Sequence, residues 1–171
     1  MRTNQWVNLV LVLLLFFNGN VYAAPRIAIL DFELNDLTLL PNTPAELTRT
    51  ASIKPLLEQA LKATGDVEII AVNAQEQKTA NAGVEYLFEH NDSSADLGRQ
   101  FGADWIVVGK HRKPSFLYSH LMVHVINVKT GQIAGNLMVE LKGTHEKVTK
   151  KSVNSLAKQI YELVNKFKEA M

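Results

Sequence analysis

Apolar and polar positions change period several times along the chain, and each change marks an element. Arg26 to Leu34 reads as a strand, with Ile27 and Ile29 on one face beside Asp31 and Glu33. Ala28, Leu30, Phe32 and Leu34 take the other face, and a start that is apolar on both faces suits a central, buried strand. Asn35 to Asn42 reads as a loop. Thr43-Pro44-Ala45-Glu46 then announces a helix, with Thr43 as N-cap, Pro44 at the first helical position and Glu46 completing a capping box. Ile53, Leu56, Leu57, Ala60 and Leu61 recur at helical spacing as one apolar stripe. Pro55 is expected to kink or divide this helix, and Gly65 to end it.

Val67 to Val72 is a second strand. The mixed stretch Asn73 to Asn91 suggests short helical pieces around Glu76 and Tyr86. Asp92-Ser93-Ser94 is able to cap a further helix, in which Leu97 and Phe101 share a face and Gly102 closes the end. Trp105 to Lys110 is a third strand. After Pro114, Tyr118 to Val128 and Gln132 to Lys142 form a hairpin across Lys129-Thr130-Gly131. His145 to Met171 reads as a long amphipathic helix, with Val153, Leu156, Ile160, Leu163, Val164 and Phe167 on one face. The expected class is α/β (α+β), in the order β-α-β-α-β-β-β-α. Two crossings imply a parallel portion and the hairpin an antiparallel one, giving a mixed sheet with helices packed on it.

The N-terminus changes the picture of where this domain works. Arg2 precedes an apolar block from Val7 to Phe17, and Asn18 to Ala24 supplies a small-residue cleavage region. That order is expected of a secretory signal peptide, residues 1–23, ahead of a single domain over 24–171. The block is shorter than the roughly 20 residues of a bilayer span. No transmembrane segment is therefore expected after cleavage. No cysteine follows it, so no lipoprotein anchor is expected, and the whole chain has none. A cysteine-free exported domain fits a bacterial periplasm better than an animal secretome. It also excludes thiol nucleophiles, disulfides and thiolate metal sites. Loss of Arg2 would take Lys+Arg from 18 to 17, matching 17 acidic residues. Such a balance argues against nucleic acid as a partner.

Candidate chemistry is sparse. Asp31 and Glu33, two apart on one strand face, would bring their carboxylates within about 7 Å, a spacing that admits acid/base work. The alternative is that the strand simply leaves the core there and its carboxylates accept backbone N–H groups. Lys110-His111-Arg112-Lys113 forms a basic cluster at a strand end, either a solvated loop or a contact for an acidic partner, anionic lipid or glycan. His120 and His124 share a face about 13 Å apart, too far for one metal; His111 meeting one of them across the sheet would make a two-histidine site without an obvious third ligand. Neither a metal nor a cofactor is expected. Gly109-Lys110 is not a phosphate loop, because Asp104 and His111 stand where that motif needs Gly and Ser or Thr. The lysines of the last helix suit a solvated face, or a membrane surface.

Three segments in order, "RIAILDFEL", "FGADWIVVGKHRK" and "LMVHVINVKTGQIAG", resemble the N-terminal domain of TolB and the related CsgG and LpoB-type envelope domains. These are fold motifs, specific for architecture and poor for activity. The whole chain is most similar to a family of small exported proteobacterial proteins, sometimes encoded beside quinoprotein alcohol dehydrogenases. The resemblance implies that Phe32 packs inward, that Trp105 to Val108 are core, and that Gly131 belongs to a hairpin turn. It further implies a non-catalytic periplasmic accessory or protein-binding module of an envelope or quinoprotein-associated system. The partner would be another periplasmic or outer-membrane protein, met through the sheet edge, Asp31 and Glu33, or Lys110, His111, Arg112 and Lys113. The alternative is a small periplasmic ligand-binding protein or hydrolase that uses Asp31 and Glu33.

Overall fold

The computed structural model describes residues 23–143 and 146–169; the expected signal peptide up to residue 22, and His145, lie outside the described residues. The first predicted strand is two strands, β1 (Arg26–Ile29) and β2 (Glu33–Asp36), both lying parallel to β4 (Trp105–Lys113). Ile29 stands opposite Val107 and Glu33 opposite Lys110, so four steps on one strand face three on the other. One residue is therefore extra, and a bulge of this kind moves everything beyond it to the opposite face. Asp31 is that residue. Its N–H donates to Gln77 Oε1 at 2.7 Å and its carbonyl accepts from Gln77 Nε2 at 2.9 Å, so a side-chain amide replaces the missing ladder bonds. The expectation that Ile27, Ile29, Asp31 and Glu33 share one face is thereby corrected: Phe32 joins Ile27 and Ile29 in one core, and Glu33 turns to the other side.

β2 continues to Asp36, where a loop was expected. The first long helix, α1 (Pro44–Thr64), starts on Thr43, whose Oγ1 accepts from Glu46 N–H at 3.4 Å. It runs through Pro55 without dividing. Ile53 and Leu57, on either side of the proline, are fully buried and hold the register. β3 (Glu68–Ile70) pairs parallel to β1 and is shorter than expected. Three short helices follow: α2 (Ala74–Ala80), α3 (Tyr86–Glu89) and α4 (Asn91–Gln100). Helix α4 starts one residue before Asp92, and none of the three predicted capping side chains caps it; Ser94 Oγ instead donates to Leu87 C=O at 2.6 Å.

β4 passes beyond Lys110 to Lys113 and pairs antiparallel with β5 (Tyr118–Asn127), which pairs with β6 (Gln132–Lys142). Gly131, at φ 69°, turns the hairpin. The last helix, α5, covers Glu146–Glu169. The sheet order is β3-β1-β4-β5-β6, with β2 beside the far half of β4. Helices α1 and α5 pack on one face over Ile27, Ile29, Trp105, Val107 and Val123. The short helices pack on the other over Ala28, Leu30, Ile106, Val108 and Ile126. The result is a mixed α+β architecture with a six-stranded sheet between two helical layers. Among the described residues no helix is long and apolar enough to cross a membrane.

Candidate functional site

Both expected clusters gather where the parallel strands end. Asp31 and Glu33 line one shallow depression of about 390 Å³ together with Gln77, Lys78, Asn81 and Val84. They do not act on each other. The Asp31 carboxylate pairs with Lys54 of α1 at 3.3 Å. Glu33 accepts from Asn81 Nδ2 at 2.8 Å and from the Glu85 N–H at 2.6 Å. Glu33 thus fixes the segment leading into α3, where Glu85 has a left-handed backbone at φ 57°. No histidine lines the depression. The arrangement offers carboxylates already engaged by Lys54, Asn81 and the Glu85 N–H.

The basic cluster is a strand, and its side chains alternate across the sheet. Lys110 is buried on the short-helix side, 2.6 Å from Glu85 and 3.4 Å from Glu89, with its ammonium 4.2 Å from the centre of the Phe88 ring. Burial alone would raise the Glu85 pKa, but hydrogen bonds from Lys110 and Asn35 and the neighbouring cations outweigh it and hold it low. Arg112 is exposed. Lys113 is buried on the α1 side, 3.0 Å from Glu46 and 3.9 Å from Asp36. Glu46, expected to complete a capping box, gives its carboxylate to this pair and to Arg49 at 3.8 Å. The solvated basic loop is thus corrected to two buried ion-pair centres flanking one exposed arginine.

His111 lies between these centres, fully buried. Its Nδ1 is 2.8 Å from Thr50 Oγ1 and its Nε2 2.8 Å from Ser119 Oγ. Burial, then the Arg49 and Lys113 charges, lower its pKa to about 4, so the ring is neutral at ordinary pH. His111 does not meet His120 or His124, which lie on the opposite face; His124 stacks on Phe88 with ring centres 3.9 Å apart. Burial pushes the His124 pKa down as well. Among the described residues no group of three His, Asp or Glu side chains is placed to hold a metal ion.

Asp36, overlooked in the sequence as a loop residue, organises the chain that follows it. Its Oδ1 accepts from Thr38 N–H at 3.1 Å and Thr38 Oγ1 at 2.7 Å, and its Oδ2 from Asn42 N–H at 3.1 Å. Burial would raise its pKa, but these bonds and Lys113 hold it below the usual carboxylate range. A carboxylate closing such a loop carries no periodic signal. Only its distant lysine marks it.

Residues 25–160 match the family DUF3280, described as a protein of unknown function (DUF2380). The chain belongs to this family. No curated protein matches it by sequence. Among solved structures, this DUF3280 member is similar to PelC from Paraburkholderia phytofirmans, a dodecamer, at 11% identity and a TM-score of 0.54, covering 81% of this chain and 89% of that one. It is similar to TolB from Acinetobacter baumannii at 16% identity and a TM-score of 0.53, covering 84% of this chain and 29% of TolB. The LpoB C-terminal domain from Salmonella enterica follows at 16% identity and 0.49, covering 78% and 93%. At such identities the likeness of PelC and TolB establishes a shared fold and nothing about activity.

Proposed function

We propose that the chain is a non-catalytic accessory module, exported to the bacterial periplasm by residues 1–23, that binds another envelope protein through the open half of its sheet. One observation carries this reading. On this face of β6, Asn136, Met138 and Glu140 are exposed, Met138 at 62%, and Met138 pairs with Met122 of β5, which is partly buried against the short-helix core. His120 beside Glu140, His124 beside Asn136, and exposed Arg112 frame the methionines with polar groups. Methionine adapts its shape to a partner, and an apolar centre with a polar rim is the anatomy of a protein interface. Among the described residues no strand pairs with the outer edge of β6, which has no proline; its Glu140 carbonyl accepts from Ser152 Oγ at 3.0 Å, and an extended partner segment is able to add to the rest.

Within this proposal Arg112 belongs to the contact surface, while Lys110, His111 and Lys113 hold the strand that presents it. Asp31 and Glu33 shape the neighbouring depression. The alternative of a hydrolase or ligand-binding protein is not adopted, because each carboxylate is already engaged and no histidine reaches them. The resemblance names a quinoprotein dehydrogenase system as the first place to seek the partner. The PelC structure is a dodecamer, so a second copy of this chain is the occupant to distinguish.

A photo-crosslinker at position 138 in the periplasm of the encoding organism tests the reading. The expected result is one adduct with a different envelope protein, lost in the Met122→Glu/Met138→Glu variant at unchanged circular dichroism. An adduct only with itself, no adduct, or one insensitive to the two substitutions would overturn it.

A further inference from the structure

The end of the molecule where β2 and β4 finish carries large apolar side chains that neither core uses. The Leu37 N–H donates to the Lys113 carbonyl at 3.0 Å, fastening the β2–α1 loop to the β4–β5 turn. The Gly143 N–H donates to the Leu117 carbonyl at 2.9 Å, fastening that turn to the end of β6. From these joined loops project Leu39, 93% exposed, Leu117 at 79%, Leu40 at 68% and, in the same turn as Leu117, Phe116 at 53%. Neighbouring exposed apolar groups of this size are uncommon on a soluble surface unless something covers them. The projection is built. Asp36 draws the polar groups of Thr38 and Asn42 inward, and Asn42 at φ 58° completes the turn, which leaves the leucines facing out.

Charge at this end is one-sided. Asp36 and Glu46 are buried against Lys113, so neither lends negative charge to the rim. The exposed cations are Arg112, Lys142 and, in the first turns of α5, Lys147, Lys150 and Lys151. The α5 start is held against this end by Arg49, which donates to Thr149 Oγ1 at 2.8 Å and to the Gly143 carbonyl at 3.0 Å. Facing those five cations are Glu140 and Glu146, with the part-buried Glu85 near Arg112, and Glu140 is already 3.4 Å from Lys142.

We propose that this end is a membrane-facing tip that places Leu39, Leu40, Phe116 and Leu117 among the headgroups of an anionic phospholipid bilayer, with the surrounding lysines and arginine on its phosphates. A protein partner for apolar residues is usually met in a concavity, whereas these side chains project from two loops. Projecting apolar groups ringed by long, flexible cations suit a surface that is deformable and diffusely negative. The apolar residues of the tip are distinct from Met122 and Met138 of the sheet face assigned to a protein partner, with Arg112 on the border of the two, and failure of the tip would leave that assignment standing.

The chain has no cysteine, so single introduced thiols label cleanly. An environment-sensitive fluorophore is placed at Leu117→Cys, and in a second protein at Lys129→Cys in the β5–β6 turn, at the far end of the sheet. Both mature proteins, beginning at Ala24, are mixed with vesicles of phosphatidylcholine alone or of an equimolar mixture with phosphatidylglycerol. The expected result is a blue shift at position 117 on the mixed vesicles only, with position 129 remaining in water. Leu39→Ser in the labelled protein lowers the affinity about fivefold to tenfold, and Lys147→Glu/Lys150→Glu/Lys151→Glu removes the dependence on phosphatidylglycerol. A label at 117 that stays in water, that shifts equally on both vesicles, or that shifts only with an added protein overturns the proposal. So does entry at 129 without entry at 117.

Discussion

His111 ties the stability of the fold to pH in a way that is open to measurement. The ring is fully buried between Thr50 and Ser119, and its pKa falls from 6.5 to about 4 through burial and the Arg49 and Lys113 charges. Above the unfolded value the neutral ring is what both states hold, and its contribution is complete. As pH falls below 6.5, the unfolded chain takes up a proton that the native state refuses, and stability declines until the folded value is reached. The loss between about pH 7 and about pH 4.5 comes to about 2.5 kcal/mol from this one group. Urea unfolding followed by circular dichroism at those two pH values reads it as a midpoint shift of about 1 M. His124 and the carboxylates add their own slopes, so the His111→Gln variant is the reference: it keeps a donor and an acceptor but does not titrate. The wild type should lose about 2.5 kcal/mol more than the variant over the window. Equal losses would refute the reasoning, as would an imidazole signal from His111 titrating near 6.5 by NMR.

Glu46→Ala leaves Lys113 with Asp36 at 3.9 Å as its carboxylate among the described residues, and should cost about 3 kcal/mol in a urea titration. Gly109→Ala would set a methyl 2.3 Å from Phe32 Cε1, so about 2 kcal/mol should be lost, part of it recovered when Phe32→Leu is added. Glu33→Gln turns an amide donor toward the Asn81 or Glu85 donors and should cost about 1–2 kcal/mol. Asp31→Asn weakens a half-exposed ion pair with Lys54, whose ammonium keeps its hydrogen bond to the Val72 carbonyl, and should change the unfolding free energy by less than about 1 kcal/mol.

Most elements were legible because burial writes a period into the residues. The stripe of Ile53, Leu57, Ala60 and Leu61, the apolar run Trp105 to Val108, and the hairpin on Gly131 each carry their cause locally. The bulge at Asp31 does not. Its backbone is satisfied by Gln77, 46 residues away, and nothing near Asp31 announces that two of its ladder bonds will come from a side-chain amide. The slip it introduces is what separated Asp31 from Glu33, so the error about a shared face followed from a long-range contact. Pro55 failed as a breaker for a related reason: tertiary burial of Ile53 and Leu57 outweighs the local cost of a proline in a helix.

The basic cluster was misjudged because charge alone says solvent, and only partners say otherwise. Lys110 finds Glu85 and Lys113 finds Glu46, both far off in the chain, and alternation along β4 sends the two lysines to opposite faces. Buried ion pairs contribute little net stability over apolar groups of the same volume, so their presence asks for another reason. Here the reason is placement. Lys113 joins the end of β4 to Asp36, which shapes the β2–α1 loop, and to Glu46, which starts α1; Lys110 joins β4 to the segment that Glu33 and Asn35 hold from β2. Each lysine thus fixes one loop at the end of the parallel strands, one beside the depression of Asp31 and Glu33, the other beneath the apolar tip. An apolar replacement would fill the same space without specifying direction. The charges that looked like a binding patch are better understood as the frame that holds the surfaces around them in one geometry.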